Sequence, residues 1–136
     1  MSEWVLLLGG STGHGAATAK RLARDGFGII AFHFDRGDAK KIAEETIAEV
    51  NDITKGNCHY FNTNAASEES MDKYIPKINE ITSGKSLKLL LHSIAFGTTT
   101  NFFGEKPVTQ RQMDMTVHVM GNSLLYWTQK LHQAKL

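Results

Sequence analysis

An α/β fold is predicted, a doubly wound parallel sheet of four strands with helices on both faces, and three observations predict it. Short, wholly apolar runs alternate with longer segments of helical spacing along all 136 residues. A glycine-rich loop joins the first apolar run to the first helical segment. No linker, repeat or low-complexity stretch interrupts the alternation, so residues 1–136 read as one domain.

The strands come first. Trp4-Val5-Leu6-Leu7-Leu8, Gly28-Ile29-Ile30-Ala31-Phe32 and Leu87-Lys88-Leu89-Leu90-Leu91 lack the polar alternation of a half-exposed strand. They read as parallel strands covered on both faces, with Cys58-His59-Tyr60-Phe61 as a weaker fourth.

Helical segments separate them. From Gly13 to Asp25, a stripe is formed by Ala16, Ala19, Leu22 and Ala23. From Asp38, read as a cap, to Lys55, the stripe is Ile42, Ala43, Ile47 and Val50. Ser67 opens the third helix, which carries Met71, Tyr74, Ile75, Ile78 and Ile81 on one side and ends near Thr82. A last, uninterrupted helix is expected from Thr109, its cap, to Ala134, after Pro107. The order β-α-β-α-β-α-β-α, with right-handed crossovers, gives an open parallel sheet. The one long loop, Ile94 to Pro107, follows a strand's C-terminal end, where such folds place function.

Composition excludes several classes. With 41% hydrophobic and 21% charged residues the chain is that of an ordinary globular domain. Its net charge of +1 and scattered Lys and Arg suggest neither nucleic acid nor an anionic membrane as partner. Cys58 stands alone, so no internal disulfide forms; it reads as a buried structural thiol in a reducing compartment. Trp4–Leu8 is too short to span a bilayer and lacks a signal peptide's flanks, so a cytoplasmic protein is expected. The six histidines show no metal-ligand spacing. Met113, Met115 and Met120 read as packing residues, while Phe102 and Phe103 read equally as an acyl pocket or as anchors of the long loop.

Gly9-Gly10-Ser11-Thr12-Gly13-His14-Gly15 lies between the first strand and the first helix. Free backbone N–H groups and the positive end of the helix dipole converge there, which makes an anion cradle. Ala16-Ala17 follows Gly15 where a P-loop needs Lys and Ser or Thr, and the G-x-G-x-x-G spacing is absent. What is present is G-x-x-x-G-x-G, as Gly9, Gly13 and Gly15.

That spacing, placed after a buried strand at the N-terminus, resembles the cofactor loop of the short-chain dehydrogenase/reductase family, and the resemblance runs through the whole chain. Leu89-Leu90-Leu91-His92-Ser93-Ile94-Ala95-Phe96 looks like the end of the fourth strand in the enoyl-acyl carrier protein reductase branch. The family's fold is Rossmann-type, and its members transfer hydride to or from NAD or NADP. The resemblance therefore implies that Gly9, Ser11, Thr12, Gly13, His14, Gly15, Asp35, Arg36, Asn64, Ala65, Ser93, Ile94 and Ala95 bind a nicotinamide dinucleotide.

Asn64 falls where the family has an Asp that meets the adenine amino group, and an Asn oxygen can accept the same bond. The choice between the two cofactors stays open in His33-Phe34-Asp35-Arg36. Asp35 is about twenty residues past Gly15, as the NAD rule asks, whereas the family's alignment puts His33 or Phe34 at the deciding position. Met115 to Gly121 resembles the helix after the fourth loop, with His118 where a polar residue supports the active site.

The family's Tyr-x-x-x-Lys pair follows a fifth strand and is expected beyond Leu136. Tyr126-Trp127-Thr128-Gln129-Lys130 matches it letter for letter but sits on the last helix, so it reads as a coincidence of spacing. Leu124, Leu125, Tyr126 and Trp127 would be exposed on that helix, which predicts a homo-oligomer through Thr109–Ala134. The expected activity is NAD(P)-dependent reduction of an enoyl or carbonyl group, on an acyl thioester or related substrate. The alternative is a non-catalytic nucleotide-binding or scaffold module. A signalling receiver domain is set aside, because Gly9-Gly10 and Asn62-Thr63-Asn64 stand where it needs acidic residues.

Overall fold

The computed structural model describes residues 2–136. Four parallel strands form one sheet in the order β3-β2-β1-β4, with β1 (Trp4–Leu8), β2 (Gly28–His33), β3 (Cys58–Asn62) and β4 (Leu89–His92). Register places Leu7 beside Ala31 on one side and Leu91 on the other. Because side chains alternate between faces, β1 serves two cores at once. Val5 and Leu7 pack with Ala19, Ala23, Ile29 and Val50 under α1 (Gly13–Arg24) and α2 (Asp38–Thr54). Leu6 and Leu8 pack with Phe32, Met71, Ile78 and Trp127 under α3 (Glu68–Thr82) and α5 (Ser123–Gln133). The doubly wound, Rossmann-like architecture is thus the one expected. No helix is long and apolar enough to cross a membrane among the described residues.

Helix ends follow local chemistry. Ser67 caps α3 by accepting from the Ser70 N–H, and Thr109 forms a reciprocal capping box with Gln112 at the start of α4 (Gln110–Val117). Asp38 is not the cap of α2. Gly37 holds that place at φ 57, a left-handed conformation that favours glycine, and Asp38 sits in the first turn, where its charge meets the positive helix end. Strand limits move too: β2 and β3 each gain a residue, and β4 shifts to match Val5–Leu8.

The last helix departs most from expectation. It is interrupted by a π turn at His118–Asn122, between α4 and α5. Ser123 Oγ donates to the Val119 carbonyl, so its one proton is used, and it accepts from His92 Nε2 at 2.8 Å. His118 Nε2 meets the Ala66 carbonyl at 2.8 Å. These anchors hold the wider turn against β4 and the loop after β3. The exposure expected of Trp127 is also corrected, since the residue is fully buried. It stacks 5.1 Å from Phe32 and donates its indole N–H to the Ala65 carbonyl at 2.7 Å. Leu124, Leu125 and Tyr126 do face outward, as do Met113 and Met120.

Two further readings are corrected. Phe102 and Phe103 are 68% and 87% exposed, so they neither line the cleft described below nor anchor their loop. Cys58 is only half-buried, beside Asn51 Oδ1. Burial still pushes its thiol pKa up, against a smaller opposing bond from Thr54. Since the thiolate is the nucleophile, alkylation near pH ~8 is expected to be slower in the folded protein than after urea unfolding. Intact mass over time reads this directly, and equal rates would contradict it.

Candidate functional site

The site begins with the turn after β1, where the three glycines answer three different demands. Gly9 has φ 93, and a Cβ there would lie 2.3 Å from the Ser93 carbonyl oxygen. Its N–H and that of Gly10 both reach the Phe32 carbonyl, at 2.9 and 3.0 Å. Gly13 has open space around it but φ 54, so conformation and not room requires glycine. At Gly15 a Cβ would stand 1.6 Å from the Gly9 oxygen, so α1 can lie this close to the turn only without a side chain. Thr12 occupies the N-cap of α1, yet no side chain caps the helix. Its first-turn N–H groups therefore stay free for an external acceptor.

Beside this turn lies a cavity of about 330 Å³ at the C-terminal ends of all four strands. Gly9, Ser11 and Thr12 contribute from the β1–α1 turn, and Asn64 and Ala65 from beyond β3. Ser93, Ile94 and Ala95 line it from beyond β4. From the end of β2 come His33, Phe34 and Asp35. The carboxylate of Asp35 accepts from Ser11 Oγ at 2.6 Å and pairs with His33 Nδ1 at 2.8 Å, both on Oδ2. Asn62 pins the same residue's backbone, its amide oxygen and nitrogen bonding the Asp35 N–H and carbonyl at 3.2 Å each. Asn64 Oδ1 accepts from the Ala66 N–H, which leaves that oxygen a second lone pair.

Other expected site residues fall elsewhere. Gly13, His14 and Gly15 offer backbone rather than lining side chains, and the His14 ring is exposed. Arg36 does not line the cavity; its guanidinium lies 4.8 Å over the Phe34 ring. His118 lines a separate hollow with Tyr126 and Lys130. There Lys130 is bonded to Asp72, which raises its pKa, and Tyr126 stacks on His118 at 5.9 Å. The Tyr-x-x-x-Lys look-alike thus lies outside the cleft.

Sequence reasoning missed Phe32, Thr63, Phe96, Met115 and Val119, which complete the cavity wall. Only the helical phase of Met115 and Val119 hinted at this. The donors and backbone amides fit an anionic, hydroxyl-bearing ligand: a cradle with no room for a Cβ, and a fixed carboxylate facing it.

Comparison with known proteins gives a consistent picture. The family model described as short chain dehydrogenase matches residues 3–135. A search of curated proteins returned no match. Among solved structures, the short-chain dehydrogenase/reductase of Serratia marcescens is 20% identical with a TM-score of 0.78, covering 97% of this chain and 50% of its own. A 3-oxoacyl-[acyl-carrier protein] reductase from Brucella melitensis, in complex with NAD, is 18% identical with a TM-score of 0.78. It covers 99% of this chain and 49% of its own. A short chain dehydrogenase from Bacillus anthracis is 17% identical with a TM-score of 0.74, covering 96% of this chain and 50% of its own. The chain thus spans about half the length of these structures.

Proposed function

The chain belongs to the short-chain dehydrogenase family, and from that premise we propose that it is the dinucleotide-binding part of an NAD(P)-dependent oxidoreductase. The observation that carries this is the turn after β1, where Gly9, Gly13 and Gly15 leave α1's N–H groups open to an acceptor. In this reading the pyrophosphate lies on those N–H groups, with the Ser11 N–H and Thr12 beside them, since the Ser11 hydroxyl proton already goes to Asp35. Asn64 and Ala65 meet the adenine, and Ser93, Ile94 and Ala95 floor the remainder. The nicotinamide, when bound, supplies the hydride. The protein's part is to bind it, orient it and keep its ribose hydroxyls on fixed acceptors.

Asp35 favours NAD over NADP. Its carboxylate lines the cleft, while Arg36 lies outside the cavity wall with its guanidinium over the Phe34 ring. For the substrate we favour an enoyl or carbonyl group on an acyl thioester, on the strength of His92-Ser93-Ile94-Ala95-Phe96. A cytoplasmic setting fits the lone cysteine, and the outward Leu124 and Leu125 suit a homo-oligomer. A second reading is a nucleotide-binding module that holds the cofactor without turning it over.

Isothermal calorimetry with NADH tests the proposal. Saturable binding at one site per chain is expected, and no heat of binding with either NADH or NADPH would overturn it. Oxidation of NADH by the chain with an enoyl thioester would set the second reading aside.

A further inference from the structure

We infer that His33 is a positioning residue that sets the preference between the two dinucleotides, by holding the Asp35 carboxylate in one place. The inference rests on the proposed binding of a dinucleotide in this cleft. Asp35 lies two residues past the end of β2, outside the sheet ladder, and Asn62 fixes only its backbone. The side chain is fixed by two donors, Ser11 Oγ and His33 Nδ1, and both meet the same oxygen. An ionised carboxylate is acceptor-only, so His33 must carry its proton on Nδ1 to serve it. With both donors on Oδ2, the other oxygen is left to accept from a ribose hydroxyl.

The ring that does this is itself packed in place. His33 is buried, at the last position of β2, with its ring edge-on to Tyr60 at a centroid separation of 6.2 Å. A carboxylate held this way accepts from a diol and repels a phosphate monoester at the same point. Released from His33, it keeps only the Ser11 hydroxyl and can swing toward solvent or Arg36, and both the attraction and the repulsion weaken. Selectivity should therefore fall, and not merely affinity.

The test is the ratio of dissociation constants for NADPH and NADH, from fluorescence titration of the chain and three variants. His33→Phe keeps a ring against Tyr60 but has no donor. His33→Asn restores a donor, because its amide nitrogen is attached to Cγ as Nδ1 is. The wild type should favour NADH, H33F should narrow the ratio by about tenfold, and H33N should recover most of it. If H33F does not fold, judged by circular dichroism, H33L makes the same comparison. A merely structural role predicts weaker binding of both cofactors with the ratio unchanged, and that result overturns the inference. A wild type that favours NADPH, or neither cofactor, overturns it as well. Absence of all binding by the wild type instead removes the dinucleotide proposal on which it rests.

Discussion

Gly15→Ala is expected to abolish dinucleotide binding. The added methyl would sit 1.6 Å from the Gly9 carbonyl oxygen, and 2.8 Å from its carbon, so no side-chain rotation relieves it. Backbone has to move, and the only backbone free to do so is the turn or the start of α1. Either movement separates Gly9 from the Phe32 carbonyl or draws the helix N-terminus off the cleft. Overpacking of this kind costs about 1–3 kcal/mol in stability. The functional loss should be larger, because the cradle is made of the displaced atoms. NADH calorimetry on G15A, beside a urea unfolding curve, separates the two effects. Retention of wild-type affinity in a folded G15A would mean that the ligand does not lie on this turn.

Trp127→Ala should give the largest loss of stability. The side chain is fully buried between Phe32 and the helices, and its indole N–H satisfies the Ala65 carbonyl. Truncating a buried Trp costs about 3–5 kcal/mol through lost burial and the cavity left behind. That is much of the total for a domain of this size. Trp127→Phe keeps most of the packing and loses the hydrogen bond, for about 1–2 kcal/mol. Chemical denaturation of both variants checks the order. A W127A midpoint close to the wild type's would show that the second core is not built on this residue. Since Ala65 lines the cleft, W127A should also weaken cofactor binding where it still folds.

Which parts of this could be read in the sequence follows from the range of the forces involved. β1 was legible to the residue because five apolar side chains in a row satisfy two cores, and only a central parallel strand needs that. The turn after it was legible because glycine spacing reports backbone demands made within seven residues. Capping by Ser67 and Thr109 is equally local. What escaped depends on partners distant in the chain. Trp127, expected to be exposed with its three neighbours, is drawn inward by its bond to the Ala65 carbonyl, 62 residues earlier, and the π turn before it is anchored by His92, 31 residues before Ser123. The cluster at the cleft mouth joins Ser11 to Asp35 across 24 residues. Counting from the glycines picked Asp35 and the family alignment picked His33 or Phe34, yet all three line one wall.

The π turn also says where this chain can change length. An α-helix advances about 100° per residue, so losing one residue from most of the last helix would rotate everything after it off the sheet. Within His118–Asn122 the surplus residue is already absorbed by the wider turn. Gly121, which has open space about it, could drop out and leave an ordinary helix with Trp127 and Leu131 still facing inward. Single-residue deletions among descendants of this sequence should therefore collect at that address, while the remainder of the helix varies by substitution.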